Sequence, residues 1–280
     1  MSTGTDMGGT GTGARAGTGT GAGTFAPRPG AAPLPRMLRA QAALETRLLL
    51  RNGEQLLLTV VIPTLLLVLF SAVDILSVPG AGHGGRSARV DFLAPGILAL
   101  AVLSTAFTGQ AIATGFERRY GVLKRLGASP LPRWGLMAAK TASVLVVEAL
   151  QVVLLSAVAL ALGWSPAGGA AAGVLLLLLG TAAFSGLGLL MAGTLRAEAT
   201  LAAANLVFVL LLVAGGVVVP LSKFPGGLAH ALQLLPISAL SDGLRSVLQD
   251  GAGLPVRDLA VLAVWGVLGL TAAGRFFKWE

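Results

Sequence analysis

The stretch Phe116-Glu-Arg-Arg-Tyr-Gly-Val-Leu-Lys-Arg-Leu-Gly-Ala-Ser-Pro-Leu-Pro-Arg-Trp134 decides the fold, because it is a dense group of charges between two long apolar runs. Apolar runs of that length indicate membrane helices, and a loop so rich in Arg and Lys is expected on the cytoplasmic side. The loop is longer and more patterned than a simple connector. We therefore expect it to form a surface that a cytosolic partner binds.

The composition of the chain excludes a soluble globular domain. Its 280 residues are 55% hydrophobic and 11% charged, whereas a soluble domain carries roughly 25% charged residues. In a soluble protein a net charge of +8 would suggest nucleic acid, but membrane proteins collect Lys and Arg in cytoplasmic loops, so we expect no nucleic-acid partner. The chain has no cysteine, and His83 and His230 are far apart, so we expect no disulfide, no metal site and no cofactor.

Six apolar segments are each near or above the roughly 20 residues that cross the hydrocarbon core. They are residues 55–78, 92–115, 140–162, 169–195, 200–221 and 256–274. The segments lack the alternation of membrane barrel strands, so only helices are plausible. The sequence therefore predicts an all-α membrane protein with six transmembrane helices and with both ends on the same side.

The distribution of cations predicts which side that is. If the N-terminus is inside, fifteen of the 20 Lys and Arg residues lie in inner segments. The five outer cations are Arg86, Arg89, Lys223, Arg245 and Arg257. This excess predicts that both termini are cytoplasmic. Arg far outnumbers Lys, and Ala, Gly and Leu are abundant, which is typical of a GC-rich bacterial genome. We expect the chain in a bacterial inner membrane.

The first 52 residues divide into two parts. Residues 1–35 are mostly Gly, Thr, Ala and Pro and predict a disordered tail, and they lack the continuous apolar core of a signal peptide. Residues 36–52 predict an amphipathic helix, because at about 100° per residue their cations and apolar side chains fall on opposite arcs. The cations are Arg36, Arg39, Arg47 and Arg51, and the apolar residues are Leu38, Ala42 and Leu49, with Glu45 near them. We expect this helix at the inner membrane surface; the alternative is a helix that packs on the rest of the protein.

Residues 222–255 connect the last two spans on the predicted outer side. They are half apolar, but too short and too broken for two further spans. They predict short helices that dip partway back into the outer leaflet, with their backbone covered by other protein. The alternative is an extracellular loop with an ordinary surface helix.

The charged loop contains a second amphipathic pattern. If residues 117–127 are helical, their apolar and charged side chains take opposite arcs, and Pro130 and Pro132 stop the helix. The apolar arc holds Phe116, Val122, Leu123 and Leu126, and the charged arc holds Glu117, Arg118, Lys124 and Arg125. Such a helix, parallel to the membrane, could fit a groove in a soluble partner. The alternative is a cationic anchor that only fixes the topology.

The sequence offers no catalytic machinery of its own. It contains no Gly-rich phosphate loop of the GxxxxGK[ST] kind and no convincing Ser-His-Asp or paired-carboxylate arrangement. We therefore expect that this chain is not an enzyme and does not hydrolyse ATP by itself.

Several motifs together resemble the signature of permeases of the ABC-2 type transporter family. They are Pro95-Gly96 at the second span, Glu117-Arg118, Gly121-Val-Leu-Lys-Arg-Leu126 and Ser129-Pro130. Val122 stands where the family usually has Thr. Further on, Pro220, Phe224-Pro225, Leu235-Pro236 and Asp242-Gly-Leu-Arg245 resemble the family's outer re-entrant region. The resemblance covers residues 36–280, the expected transmembrane domain, and leaves out the tail.

The resemblance implies the membrane half of an exporter. Two such subunits pair, either two copies or two related permeases, and each docks a separate ATP-binding subunit beneath the loop after the second span. The family's cargoes include drugs, antibiotics and lipid-linked molecules. The residues that would couple to the ATPase are Glu117, Arg118, Arg119, Gly121, Val122, Leu123, Lys124, Arg125, Leu126, Pro130 and Leu131. We expect the cations Arg118, Arg119, Lys124 and Arg125 to orient that contact and Val122, Leu123 and Leu126 to seat it.

Polar groups within the spans are candidates for the translocation path. Glu148 and Gln151 share a helix face, and Glu148 lies about 12 Å along the helix from Lys140 at about 1.5 Å per residue. An intramembrane acid is a functional candidate, and the alternative is a protonated or paired acid at a helix contact. Asn205 is a further path candidate, although interhelical hydrogen bonding is the commoner role of such a residue. Asp74 could simply reach headgroups.

Two other functions stay open at the level of sequence. An ion-coupled carrier would use Glu148 and Asp74 as titrating groups and would need no ATPase, but the chain is short and shows no obvious inverted repeat. A non-transporting membrane anchor or assembly factor would tolerate Glu148→Ala.

Four glycines of the fourth span are expected to allow close helix approach. They are Gly180, Gly186, Gly188 and Gly193.

Overall fold

The computed structural model describes residues 32–72, 85–217 and 225–277, and every regular element in these ranges is helical. The described helices are α1 (Leu34–Arg51), α2 (Gly53–Ala72), α3 (Gly85–Val102), a π-helical segment (Leu103–Gly109), α4 (Gln110–Arg119), α5 (Val122–Gly127), α6 (Arg133–Ala161), α7 (Ala170–Thr194), α8 (Ala197–Ala214), α9 (Gly226–Leu232), α10 (Pro236–Leu248) and α11 (Val256–Phe276). The predicted tail lies almost wholly outside the described residues, and Asp74 lies outside them too.

Six described helices are long and apolar enough to cross a membrane, which confirms the predicted all-α architecture with six spans. They are α2, the continuous rod of α3, the π-helical segment and α4, then α6, α7, α8 and α11. The first span begins at Gln55, as the sequence predicts. The second is longer than the predicted 92–115, because the helix continues to Arg119.

The second span is the centre of the bundle. In its most apolar stretch 89% of the residues are buried by other protein, against 17% in α8, so the other spans surround it. Its 33 residues span about 50 Å at about 1.5 Å per residue, which exceeds the hydrocarbon thickness of about 30 Å. The rod is therefore longer than the apolar layer is thick.

The fourth span, α7, packs closely on its neighbours through small residues. A side chain on Gly186 would place its Cβ 2.6 Å from the backbone nitrogen of Leu270 in α11, and one on Gly188 would lie 2.8 Å from the carbonyl oxygen of Phe107. Only a residue without a side chain fits at such distances, so the predicted close approach is confirmed. The contact with Phe107 places α7 against the π-helical part of the central rod.

The N-terminal helix α1 packs along the start of α6. Leu38 contacts Gly135, and Glu45 is buried, while Arg36 and Arg47 stay exposed. The inward arc of α1 is therefore the one that holds Leu38 and Glu45, and it faces protein. The alternative that α1 packs on the rest of the protein therefore holds for this side of the helix. The position of α1 at the membrane surface remains a prediction.

Of the predicted outer segment, residues 225–255 are described and contain the two short helices α9 and α10. Nearly every side chain of α10 is buried against α3, α7 and α11, with Ile237, Leu240 and Leu244 fully buried. An ordinary surface helix does not fit this burial. The dip into the outer leaflet remains a prediction.

Candidate functional site

The charged loop folds as two helices rather than one. The helix that we expected over residues 117–127 is broken at Tyr120 and Gly121, and Gly121 adopts a left-handed φ of 71° that favours glycine. α5 then runs from Val122 to Gly127, and Pro132 is the N-cap residue of α6. The break lets α5 leave the axis of the central rod and lie across the end of the bundle.

One apolar residue of the loop is used inside the protein. Leu123 has no exposed surface and packs with Leu136, Leu189 and Phe277, and Leu126 and Leu131 pack partly against the same cluster. In this conformation Leu123 faces the bundle, because amphipathicity alone does not show which surface the apolar side contacts, and the seating role expected for Leu123 stays a prediction. Leu123 holds α5 on the bundle.

The outward surface of the loop is basic and partly apolar. Val122 is 39% exposed, and Lys124, Arg125 and Pro130 are exposed beside it. We call this surface, formed by Val122, Lys124, Arg125 and Pro130, the docking surface. Its two cations and one exposed β-branched side chain are the part of the predicted site that is accessible to a partner.

Two predicted docking cations contact the chain itself. Arg118 donates a hydrogen bond to the carbonyl oxygen of Leu195, and Arg119 forms an ion pair with Glu198. Both contacts tie α4 to the turn between α7 and α8. Because the Arg119 and Glu198 side chains are half or more exposed, this ion pair contributes little stability and opens at low cost.

A buried chain of three charges joins the loop to the N-terminal helix. The Lys140 Nζ atom lies 2.6 Å from Oε2 of Glu117 in α4 and 3.0 Å from Oε2 of Glu45 in α1. The Lys140 and Glu45 side chains are 5% and 9% exposed. Our reading of the sequence missed this chain, because Glu45 and Lys140 are 95 residues apart. The only signal was the intrusion of Glu45 into the apolar arc of α1.

A cavity of about 40 Å³, lined by both polar and apolar side chains, adjoins these charges between α1, α2, α4 and α6. Gln110 and Thr114 line it, and their buried side-chain polar atoms have no hydrogen-bond partner among the described residues. Buried polar atoms are normally satisfied by protein or by water, and this volume holds roughly three water molecules. The cavity is therefore suited to hydration of Glu117 and Lys140.

Two of the predicted path residues are buried in α6. Thr181 of α7 donates a hydrogen bond to Oε2 of Glu148, whose Oε1 has no partner among the described residues. Glu148 lies in an otherwise apolar groove of about 240 Å³ between α6 and α7. Gln151 accepts a hydrogen bond of 2.9 Å from Thr105 and donates one to the carbonyl of Thr59. Gln151 thus joins α6 to the first two spans.

The third path candidate, Asn205, lies on a different surface. Its side chain is exposed on α8, and its amide donates to the carbonyl of Leu201 in the same helix at 3.0 Å. An interhelical role within the chain does not fit this position. The structure therefore does not bring Asn205 together with Glu148 and Gln151.

Arg245, an outer cation of the Asp242-Gly-Leu-Arg245 motif in the sequence, is buried at the other end of the bundle. Its guanidinium donates to the carbonyl oxygens of Gly216 at 2.8 Å and Val217 at 2.7 Å, and it stacks 4.1 Å from the centre of the Phe92 ring. Asp242 lies 3.5 Å from it. Burial raises the pKa of Asp242 to about 6 against the lowering effect of Arg245.

The fold and the loop surface define a multi-pass helical membrane protein. Residues 38–248, most of the chain, match the ABC-2 type transporter family. The chain therefore belongs to the ABC-2 type transporter family, whose members are membrane components of transporters and generally not catalytic themselves. Membership implies an ATP-binding partner subunit and often a dimer. The comparison with curated proteins found no match.

Proposed function

We propose that this permease subunit exports an amphiphilic or hydrophobic cargo, such as a drug, an antibiotic or a lipid-like molecule, using ATP that a separate subunit hydrolyses. The observation that carries the proposal is the docking surface, where exposed Val122, Lys124 and Arg125 are presented by α5, which Leu123 holds on the bundle. A partner groove lined with acidic residues around an apolar centre would complement this surface.

The membrane, the subunit pairing and the orientation that we propose are those expected from the sequence. The permease works in a bacterial inner membrane as a dimer of two copies or two related permeases, with its termini and the docking surface in the cytoplasm. ATP favours one arrangement of a two-state assembly, and the permease must prefer the matching arrangement. The direction of transport follows from the family resemblance.

The predicted path residues support two different routes for cargo. Glu148 lines an apolar groove between α6 and α7, and its buried Oε1 has no partner among the described residues, so a cargo would reach this acceptor only if α6 and α7 moved apart. Asn205 is exposed on α8, among exposed Leu206 and Val209, so it would face lipid, cargo or the second subunit. Gln151 is bonded to two other helices and would hold the path in shape rather than touch cargo.

The docking surface is tested by reversing its charge. The double substitution Lys124→Glu with Arg125→Glu should lower co-purification of the ATP-binding subunit at least tenfold, because it places acids opposite the expected acidic groove. Arg36→Glu with Arg39→Glu on exposed α1 is the matched control and should leave co-purification within twofold. Unchanged binding in the loop variant, with normal membrane insertion, would overturn this assignment of the docking surface.

A further inference from the structure

We propose that Lys140 is a positioning residue that makes α1 move together with the docking surface, so that docking acts on the first span as well as on the second. This proposal rests on the proposed function, because it takes the docking surface as the place where the ATPase acts. The three charges of the chain come from three separate helices, Glu45 from α1, Glu117 from α4 and Lys140 from α6.

Short connections join the helices that carry Glu117 and Glu45 to their neighbours. Only Tyr120 and Gly121 separate α4 from α5, so a displacement of the docking surface reaches Glu117 within one turn. At the other end only Asn52 separates α1 from α2, and its side chain is hydrogen bonded to Gln55 at the start of the first span. A movement of α1 is therefore transmitted directly to α2.

The burial of Lys140 makes this linkage stronger than a surface ion pair. If α1 moved alone, the buried carboxylate of Glu45 would lose Lys140, which is strongly unfavourable. If α4 moved alone, buried Lys140 would lose one of its two carboxylate partners. The ion pair of Arg119 with Glu198 is half exposed, so water can replace either partner there. Of the two ionic links of α4, the one through Lys140 is thus the one that resists separation.

The cavity leaves room for such a movement. It lies between α2, α4 and α6, where Gln110 and Thr114 line it together with Gln55 and Thr59 of the first span. A shift of α4 toward α2 would take up part of this space, and water there can hydrate the polar groups that line it. Glu117, whose side chain is 25% exposed, can then stay hydrated or paired with Lys140 during such a shift.

The absence of cysteine from the sequence allows a direct test. Spin labels on Ala43→Cys, exposed on α1, and Ala128→Cys, exposed after α5, report the distance between the two elements in the full chain in nanodiscs with its ATPase. We expect one narrow distance distribution with and without trapped ATP. With Lys140→Met added, ATP should shift or broaden the distribution by about 5 Å or more, because the link is lost.

Three further variants separate a linkage role from a general structural one. Glu198→Gln removes the exposed ionic link of the same helix from its α8 side and should leave the distribution narrow. Lys140→Arg keeps the charge and should restore narrowness, which a loss of packing alone would not predict. Glu45→Gln is nearly isosteric and should broaden the distribution as well, so the proposal stays testable if Lys140→Met fails to fold.

The outcomes distinguish this inference from the function on which it rests. If the ATPase does not bind the unsubstituted chain, the proposed function and the inference fall together. If the ATPase binds but Lys140→Met and Glu45→Gln both keep a narrow distribution, only the inference is overturned. A wild-type distance that changes with ATP as much as that of Lys140→Met would overturn it too.

Discussion

The Arg245 guanidinium brings together two sequence motifs that lie far apart in the chain. A side chain on Gly96 would place its Cβ 2.9 Å from Nη2 of Arg245 and 3.0 Å from the carbonyl oxygen of Val217. Gly96 therefore leaves the space in which Arg245 reaches the end of α8. The Pro-Gly sequence of the second span and the Asp-Gly-Leu-Arg sequence of α10 are two sides of one contact.

At this scale we predict that Arg245→Leu lowers the melting temperature of the purified protein by roughly 5–10 °C, the equivalent of about 3 kcal/mol. The substitution leaves the buried carbonyl oxygens of Gly216 and Val217 without their donors. Thermal unfolding in detergent measures the effect. Arg257→Leu is the matched control, since Arg257 is exposed and its hydrogen bond goes to the half-buried side chain of Gln233. An equal loss in both variants would contradict the prediction.

At the scale of single elements, α5 depends on one anchor. Its six residues are too few to form a stable helix alone, so its order comes from packing through Leu123. The docking surface on its other side is therefore presented by a buried contact rather than by helix propensity.

Leu123→Ala should release α5 while the spans remain folded. Removing a buried Leu side chain costs about 3 kcal/mol, so amide exchange in residues 122–127 should accelerate roughly 100-fold. Hydrogen–deuterium exchange measured by mass spectrometry gives this rate. Val122→Ala changes the neighbouring exposed side chain and should leave the exchange rate nearly unchanged; protection that survives in Leu123→Ala would show that α5 is held by other contacts.

The elements that the sequence predicts well are those with a strong local signal. Apolar length alone predicts six spans, and the spacing of cations and apolar residues predicts α1. Local pattern does not show whether an apolar arc faces the same chain or a partner, so the burial of Leu123 could not be predicted. The pairing of Glu45 with Lys140 also needs the fold, because the two residues are 95 positions apart.

On the scale of the whole molecule, the other spans enclose the central rod, and some of them expose large apolar side chains on their outer surfaces. The second span is buried by protein, while α8 and α11 expose large apolar side chains such as Leu210, Val213 and Val267. In a multi-pass membrane protein this surface faces lipid or a second subunit. Hydropathy predicts that such surfaces exist, but it does not distinguish the six spans from one another. The central position of the second span is therefore seen only in the packing of the helices.

The topology of the whole molecule makes a prediction that labelling in intact cells can test. Ala252→Cys, exposed between α10 and α11, should react with a membrane-impermeant maleimide, because it lies on the predicted outer side. Ala128→Cys should react only after the membrane is permeabilised. The cysteine-free sequence gives no background. Labelling of Ala128→Cys in intact cells would place the docking surface outside and contradict the proposed function.

The π-helical segment at the middle of the central rod fixes the angular phase between its two halves. The half before it carries Gly96, which receives Arg245, and the half after it carries Glu117, which meets Lys140. Each residue of a helix turns the chain by about 100°, so a single-residue deletion among residues 103–109 would rotate one contact out of reach of its partner while the other stayed in place. Residues 103–109 thus set the rotation of one half of the rod relative to the other, and so align the contacts at its two ends.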